Sequence, residues 1–504
     1  MSVMMYRDVY VLVLVWGIIG LNKTLGASAA SPEKAQGSTP LTMSKNQITC
    51  NGKEFAGLRG TLIVPEDRSR PDSRQIELPI VVVKALSPSP DHPVFQCTGG
   101  PGGSNIGPEQ RIGEADVQNH DLVQVGYRGI DGNPKLKHKV FDQILKTPDM
   151  LSMPNLKEMG GKAAMVVREL KATDIEVEHY NILNVVDDIE AARASLGYEK
   201  INLTGGSYGG AVVLTYCLRY PKRVHRAVMI EAAFPYDIAF EKPHKVDARF
   251  ERLNELWKND HKASERTPDI VQTMKNVLKK LPRQWKGMPI DPSKVRIVTY
   301  LGLYERTYVN MLFDAYIAAE HGDFGSIAVM SLMYDQLMSN FENVGDLLAK
   351  TYSSVTDPNR DFISELDDHD SVIGSPMALM AWGIFQHSQW PVKPVAAEHP
   401  PTQESRVETL IVYGSKQTGE AFRDRYGSMF TNASWVMFND LGHMDVWKII
   451  GDGMSHLIHR FVDDGVVDTS KIGIIPKWDF TPQVTFYQML QQMTSQGAGQ
   501  PSNQ

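Results

Sequence analysis

The chain has 504 residues and a formal net charge of −7, with 42% hydrophobic and 22% charged residues. That is enough apolar content for a sizeable core and offers no basic surplus to grip a phosphate backbone, so nucleic acid is set aside as a partner. Only three cysteines occur, Cys50, Cys97 and Cys217, so at most one intramolecular disulfide forms and the protein is no disulfide scaffold.

The apolar run Val9 to Leu21 follows Arg7 and precedes Ala27-Ser28-Ala29, the small-x-small pattern read by signal peptidases. Residues 1–29 are therefore read as a signal peptide directing the protein to a secreted or periplasmic location, with an uncleaved anchor as the alternative. No later apolar run is long enough to cross a bilayer. Residues 30–44, containing Ser, Pro, Gly and Lys, read as a flexible leader. Phe55 to Val64 and Gln75 to Ala85 are β-rich and joined by a polar turn, which predicts an antiparallel pair. Val94 to Cys97 and Asp121 to Gly126 are short buried-strand patterns, the second leading into a turn that Arg128 is expected to brace. Pro134 to Glu178 reads as an excursion of surface helices. Val185, Ile189, Ala192 and Leu196 then share one helical face, and Gly197 stops that helix before the strand Ile201 to Thr204.

Val224 to Ile230 continues the alternation of helix and strand that a largely parallel sheet requires. From 236 to 400 the pattern turns mainly helical, an inserted cap. Strand character returns at Thr409 to Gly414 and Trp435 to Phe438. The predicted organisation is a sheet core over 45–235 and 401–465, the cap over 236–400, and a C-terminal extension over 466–504 ending in a disordered tail from Ser495.

Chemistry concentrates in two glycine-rich stretches and one histidine. Gly205-Gly206-Ser207-Tyr208-Gly209-Gly210 lies between a strand and a helix, a context that holds a serine on a strained turn with its hydroxyl presented for attack. Ser207 reads as a nucleophile. Thr98-Gly99-Gly100-Pro101-Gly102-Gly103 follows a strand and lets peptide N–H groups converge on an oxyanion; no Lys-Ser/Thr follows the glycines, which excludes a phosphate-binding loop. The expected donors are the N–H groups of Gly100 and Tyr208. His443, on a turn after the last strand, is the expected base. Cys217 reads as a core residue, and His456 and His459 share a helix face with no acid nearby in sequence, so no metal pair is expected.

With Leu196-Gly197-Tyr198, Tyr220-Pro221, Trp390-Pro391 and Gly442-His443 added to these motifs, the chain resembles the α/β-hydrolase family of prolyl iminopeptidases and secreted tripeptidyl aminopeptidases, over roughly residues 50–235 and 385–450. The resemblance implies an α/β-hydrolase fold with a helical cap and a serine exopeptidase that acts on peptides with a free N-terminus. It also implies acidic cap residues that bind the substrate ammonium group, and no metal or organic cofactor. Two departures stand out. Thr98 occupies the place of a common histidine, and Gly414-Ser415-Lys416-Gln417 puts Gln417 where the family has its triad aspartate. The acid is left among Gln417, Glu420, three residues on, and Glu231, at the end of the preceding strand. Two other readings share the fold: an esterase or other small-molecule acyl hydrolase, and a binding protein whose charge relay has decayed.

Overall fold

The strands form where β-branched and apolar residues run without interruption, and their burial reports what covers them. In the computed structural model, which describes residues 33–34, 41–107, 112–339, 343–416, 419–481 and 484–497, ten strands make one sheet: β1 (Glu33–Lys34), β2 (Leu41–Cys50), β3 (Lys53–Pro65), β4 (Gln75–Val83), β5 (Asp91–Cys97), β6 (His120–Val125), β7 (Ile201–Gly206), β8 (Val224–Ile230), β11 (Thr409–Gly414) and β12 (Ala433–Phe438). A separate hairpin pairs β9 (Gln284–Trp285) with β10 (Met288–Pro289) in the cap. The sheet order is β1-β2-β3-β4-β6-β5-β7-β8-β11-β12. Pairing is antiparallel from β1 to β4 and between β4 and β6. From β6 through β5 to β12 it is parallel.

Residues of β6 and β11 are buried throughout, as expected for parallel strands covered by helices on both faces. One face packs against Tyr208–Arg219 and Ile182–Ser195, and the opposite face against Asp445–Ile450 and Asp452–Asp464 through Val228, Ile230, Leu410, Val412, Leu457 and Phe461. Helix Ile182–Ser195 starts where the Asn181 side chain accepts from the Asn184 N–H at 2.8 Å. It ends in a Schellman arrangement: Gly197, at φ +79°, donates to Ala194 and Tyr198 to Arg193.

Two boundaries differ from the sequence reading. Strand β2 begins at Leu41, inside the expected leader, because its full length pairs with β3. The C-terminal helix Phe486–Gly497 runs into the expected tail. Residues 1–29 and 498–504 lie outside the described residues, and among those described no helix is long and apolar enough to cross a membrane.

The cap supplies helices from Pro243 to Glu398. It is joined by Met153–Ala172 from the earlier excursion, which packs on Pro376–Ser388. Their approach is close: a Cβ on Gly160 would lie 2.4 Å from the His387 Cβ. Arg128 does brace its surroundings. Fully buried, it donates to both Asp188 carboxylate oxygens at 2.7 Å, to the Glu66 and His179 carbonyls at 3.0 and 2.8 Å, and to that of Pro65 at 3.3 Å. Burial alone would raise the Asp188 carboxyl, but Arg128 and Arg68 outweigh it and hold it below its ordinary value. Substituting Arg128→Met leaves that carboxylate with Arg68 alone, and a loss of about 3–5 kcal/mol is expected. Urea unfolding followed by circular dichroism checks this.

Candidate active site

Ser207 sits between β7 and helix Tyr208–Arg219 with φ 51° and ψ −122°, a conformation that costs a non-glycine residue roughly 1–3 kcal/mol. Three hydrogen bonds hold it there. Its N–H donates to the Ile230 carbonyl at 3.0 Å, and its own carbonyl accepts from Gly210 and Ala233 at 2.9 and 2.8 Å. Gly209 is required on steric grounds, since a Cβ there would lie 2.0 Å from the Cys97 carbonyl oxygen.

The Gly99–Gly103 loop lies against this turn: a Cβ on Gly99 would be 3.0 Å from that of Ser207. Gly100 and Gly102 have φ of 76° and 84°, and Gly103 donates to the Gly100 carbonyl at 2.8 Å. Thr98 braces the loop from within. Its N–H reaches Asn105 Oδ1 at 2.8 Å and its hydroxyl the Ser104 carbonyl at 2.9 Å. Asn105 in turn donates to the carbonyls of Gln96 and Val125. Half-buried Asp131 accepts from the Asn105 and Tyr127 N–H groups, both at 2.8 Å, and from the Ser104 hydroxyl. Burial raises its carboxyl above the ordinary range, against these donors.

His443 follows β12 on a loop clamped from the cap. Asp445 accepts from the Gly442 N–H at 2.9 Å and from the Arg306 N–H at 3.1 Å. The Met444 N–H donates to the Tyr304 carbonyl at 2.9 Å, and the Tyr304 and His443 rings lie 5.2 Å apart. The carboxylate brought to His443 is that of Glu231, with Oε2 3.4 Å from the imidazole Nδ1 and no exposed side-chain surface. Its other oxygen accepts from the Gly414 N–H. Glu231 itself has φ 48°, and its N–H donates to the Val412 carbonyl at 2.8 Å.

Of the alternatives weighed for the acid, Gln417 lies outside the described residues and Glu420 is placed only as backbone of helix Gly419–Tyr426. Glu231 stood last in sequence because its proximity to His443 arises only when β8 and β11 pair. The available signal was an acid ending an apolar strand and followed by two alanines.

All three cysteines are free and buried. Burial pushes the Cys97 thiol up to about 12 and raises that of Cys217 as well, so neither is a competing nucleophile. His456 and His459, contrary to the sequence reading, do have acids beside them, Asp468 and Asp116, each at 2.9 Å. The acids belong to separate elements, and each histidine has its own partner. Among the described residues Asp67, Glu176 and His179 bring ligand atoms within 4.8 Å of one another. Arg70 pairs with both carboxylates, and Lys393 Nζ lies 3.3 Å from His179 Nε2, so this cluster already contains its countercharge.

Residues 93–448 match the family model described as alpha/beta hydrolase fold, and the chain belongs to that family. It is 27% identical over 231 residues to "Serine protease Hip1" of Mycobacterium tuberculosis (strain ATCC 25618 / H37Rv), covering 43% of this chain and 44% of that protein. It is 23% identical over 207 residues to "Tripeptidyl aminopeptidase" of Streptomyces lividans, covering 36% and 38%. The chain thus matches less than half the length of these curated relatives. The solved structure of epoxide hydrolase CorEH without ligand is 13% identical, covers 83% of this chain and 99% of its own, and has a TM-score of 0.36.

The burial of the thiols is directly checkable. Native protein should take up no thiol label from DTNB within minutes, whereas protein unfolded in guanidinium should expose all three cysteines; rapid labelling of the native protein would contradict the packing around Cys97 and Cys217.

Proposed function

We propose that this protein is a serine hydrolase that cleaves acyl bonds through an acyl-enzyme on Ser207, with His443 as base and Glu231 as the acid of the triad. The observation that carries this reading is the buried Glu231 carboxylate facing His443 Nδ1. That contact fixes the tautomer that leaves Nε2 to take the serine proton, and it stabilises the imidazolium that results. Ser207 Oγ attacks the acyl carbon while its proton passes to His443. The negative charge formed on the former carbonyl oxygen is met by the N–H of Tyr208 and that of Gly100. His443 then returns the proton to the departing group, and water hydrolyses the acyl-enzyme by the same steps with His443 again as base.

The substrate class proposed first is a small acyl ester. An exopeptidase needs an uncommitted carboxylate for the substrate ammonium. Two cap acids by the aromatic row Tyr300, Tyr304, His443 are already engaged: Glu305 meets Lys448 at 2.7 Å, and Glu241 meets Arg249 and accepts from the Tyr300 hydroxyl at 3.1 Å. The activities for which the two curated relatives are named support a second reading, removal of short peptides from a free N-terminus. In either case the segment Val9 to Leu21, with Ala27-Ser28-Ala29 after it, supports export to a secreted or periplasmic location.

A panel of p-nitrophenyl esters and of N-terminally free and blocked tripeptidyl anilides separates these readings. Ester turnover lost in Ser207→Ala is expected; cleavage confined to the free-amine anilides would move the assignment to the exopeptidase, and no Ser207-dependent turnover would remove both. Glu231→Gln should lower kcat by about 10⁴, while Glu420→Gln should retain wild-type kcat. The opposite pattern would transfer the role of acid to Glu420.

A further inference from the structure

Every residue of the cap helix Val344–Tyr352 is buried, yet the helix carries Asp346 and Lys350, joined Oδ2 to Nζ at 2.6 Å with no exposed side-chain surface on either. The pair lies behind the two segments that supply the oxyanion donors. Lys350 donates to the Arg128 carbonyl at 3.4 Å and stands 4.9 Å from the centre of the Tyr127 ring. That ring meets the Tyr208 ring edge-on at 6.0 Å. Asp346 Oδ1 closes no hydrogen bond of full geometry among the described residues, and the Gly102 N–H is the backbone donor that favours its charged form. The Asp346 charge also disfavours ionisation of the buried Tyr208 hydroxyl. Gly129 is shaped to this carboxylate, since at φ +84° its missing Cβ would fall 2.4 Å from Asp346 Oδ1.

We propose that Asp346 is a positioning residue of the hydrolytic site, reaching from the cap to hold the Gly99–Gly103 loop against the Ser207–Tyr208 turn through its negative charge. The inference rests on the reading of Ser207 as nucleophile. A buried anion of this kind orients a peptide N–H without itself touching substrate, and small displacements of oxyanion donors are costly to turnover. Its effect falls on kcat, because the donors engage charge that develops only in the transition state. The titratable groups that face it are Lys350 from its own helix and Asp131 and Tyr208 from the core. Burial is the largest influence on its carboxyl and, with Asp131 adding to it against Lys350, pushes it up to about 6. As pH falls through that value the carboxylate is protonated and the negative charge behind Gly102 is lost, so turnover falls on the acid side.

The test compares wild type with the double variant Asp346→Asn/Lys350→Met, in which the ion pair is replaced by neutral side chains of similar size, a change that buried pairs often tolerate. Hydrolysis of a p-nitrophenyl ester and amide hydrogen exchange over residues 98–105 are measured on both. The expected result is a folded variant whose kcat is lower by about 10- to 100-fold with KM nearly unchanged. Exchange in 98–105 is faster, and the acid-side loss of kcat that protonation of Asp346 brings is absent from the variant. Unchanged kcat or unchanged exchange overturns the proposal. Should the double variant not fold, Gly129→Ala, whose methyl presses on Asp346 Oδ1, is read by kcat and by exchange in 98–105, and either one unchanged overturns the proposal. If wild type turns over neither ester nor anilide, the hydrolytic reading fails, while faster exchange in the variant still supports the hold of Asp346 on the loop.

Discussion

The buried carboxylate of Glu231 ties the ends of three parallel strands to the loop that carries His443. The residue before it accepts the Ser207 N–H, its own N–H reaches β11, and its two oxygens face Gly414 and the imidazole. A charge withdrawn this far from water needs compensation; among the described residues the Gly414 N–H supplies it at Oε1, and Oε2 faces the imidazole at 3.4 Å. Ser207 and Glu231 both adopt positive φ, and the ladder between β7, β8 and β11 holds both in place. Strain of this kind persists only where neighbours over-determine it.

The cap takes part in that arrangement. The loop bearing His443 hangs from Tyr304 and Arg306 at the head of a cap helix, with Asp445 as the joint. Arg306 also donates to the Asp440 carbonyl through Nε and Nη2, at 3.1 and 2.8 Å. The position of His443 is therefore set by cap and core together. Burial raises the Asp445 carboxyl against the donors it accepts, which marks this joint as a point where burial and hydrogen bonding are closely balanced.

Much of this was legible because the relevant residues are contiguous. The strand, tight turn and helix around Ser207, the glycine loop after β5 and the C-terminal stop at Gly197 are local patterns with local causes. The carboxylate that faces His443 was only one of three candidates for the acid, because Gly414-x-x drew attention to Gln417 while Glu231 comes from a strand about two hundred residues earlier. Strand β2 was missed for a different reason: Leu41–Cys50 is near the sheet edge, four of its ten residues are exposed, and its polar alternation resembles a loop. Asp346 and Lys350 escaped because, in one dimension, an acid and a lysine four apart read as a solvated helix face. Only the fold shows that this face is buried.

The chain does not end at the sheet. Beyond its last core helix it returns to the cap, where Phe480 packs at 5.1 Å from Trp257 and 6.0 Å from Phe313, and Arg306 lies over Trp478 at 4.9 Å. Such contacts contribute about 0.5–1.5 kcal/mol each beyond their buried area. Residues 478–480 thus strap the C-terminal segment to the cap helices, so displacing the cap as one body would also break these aromatic contacts.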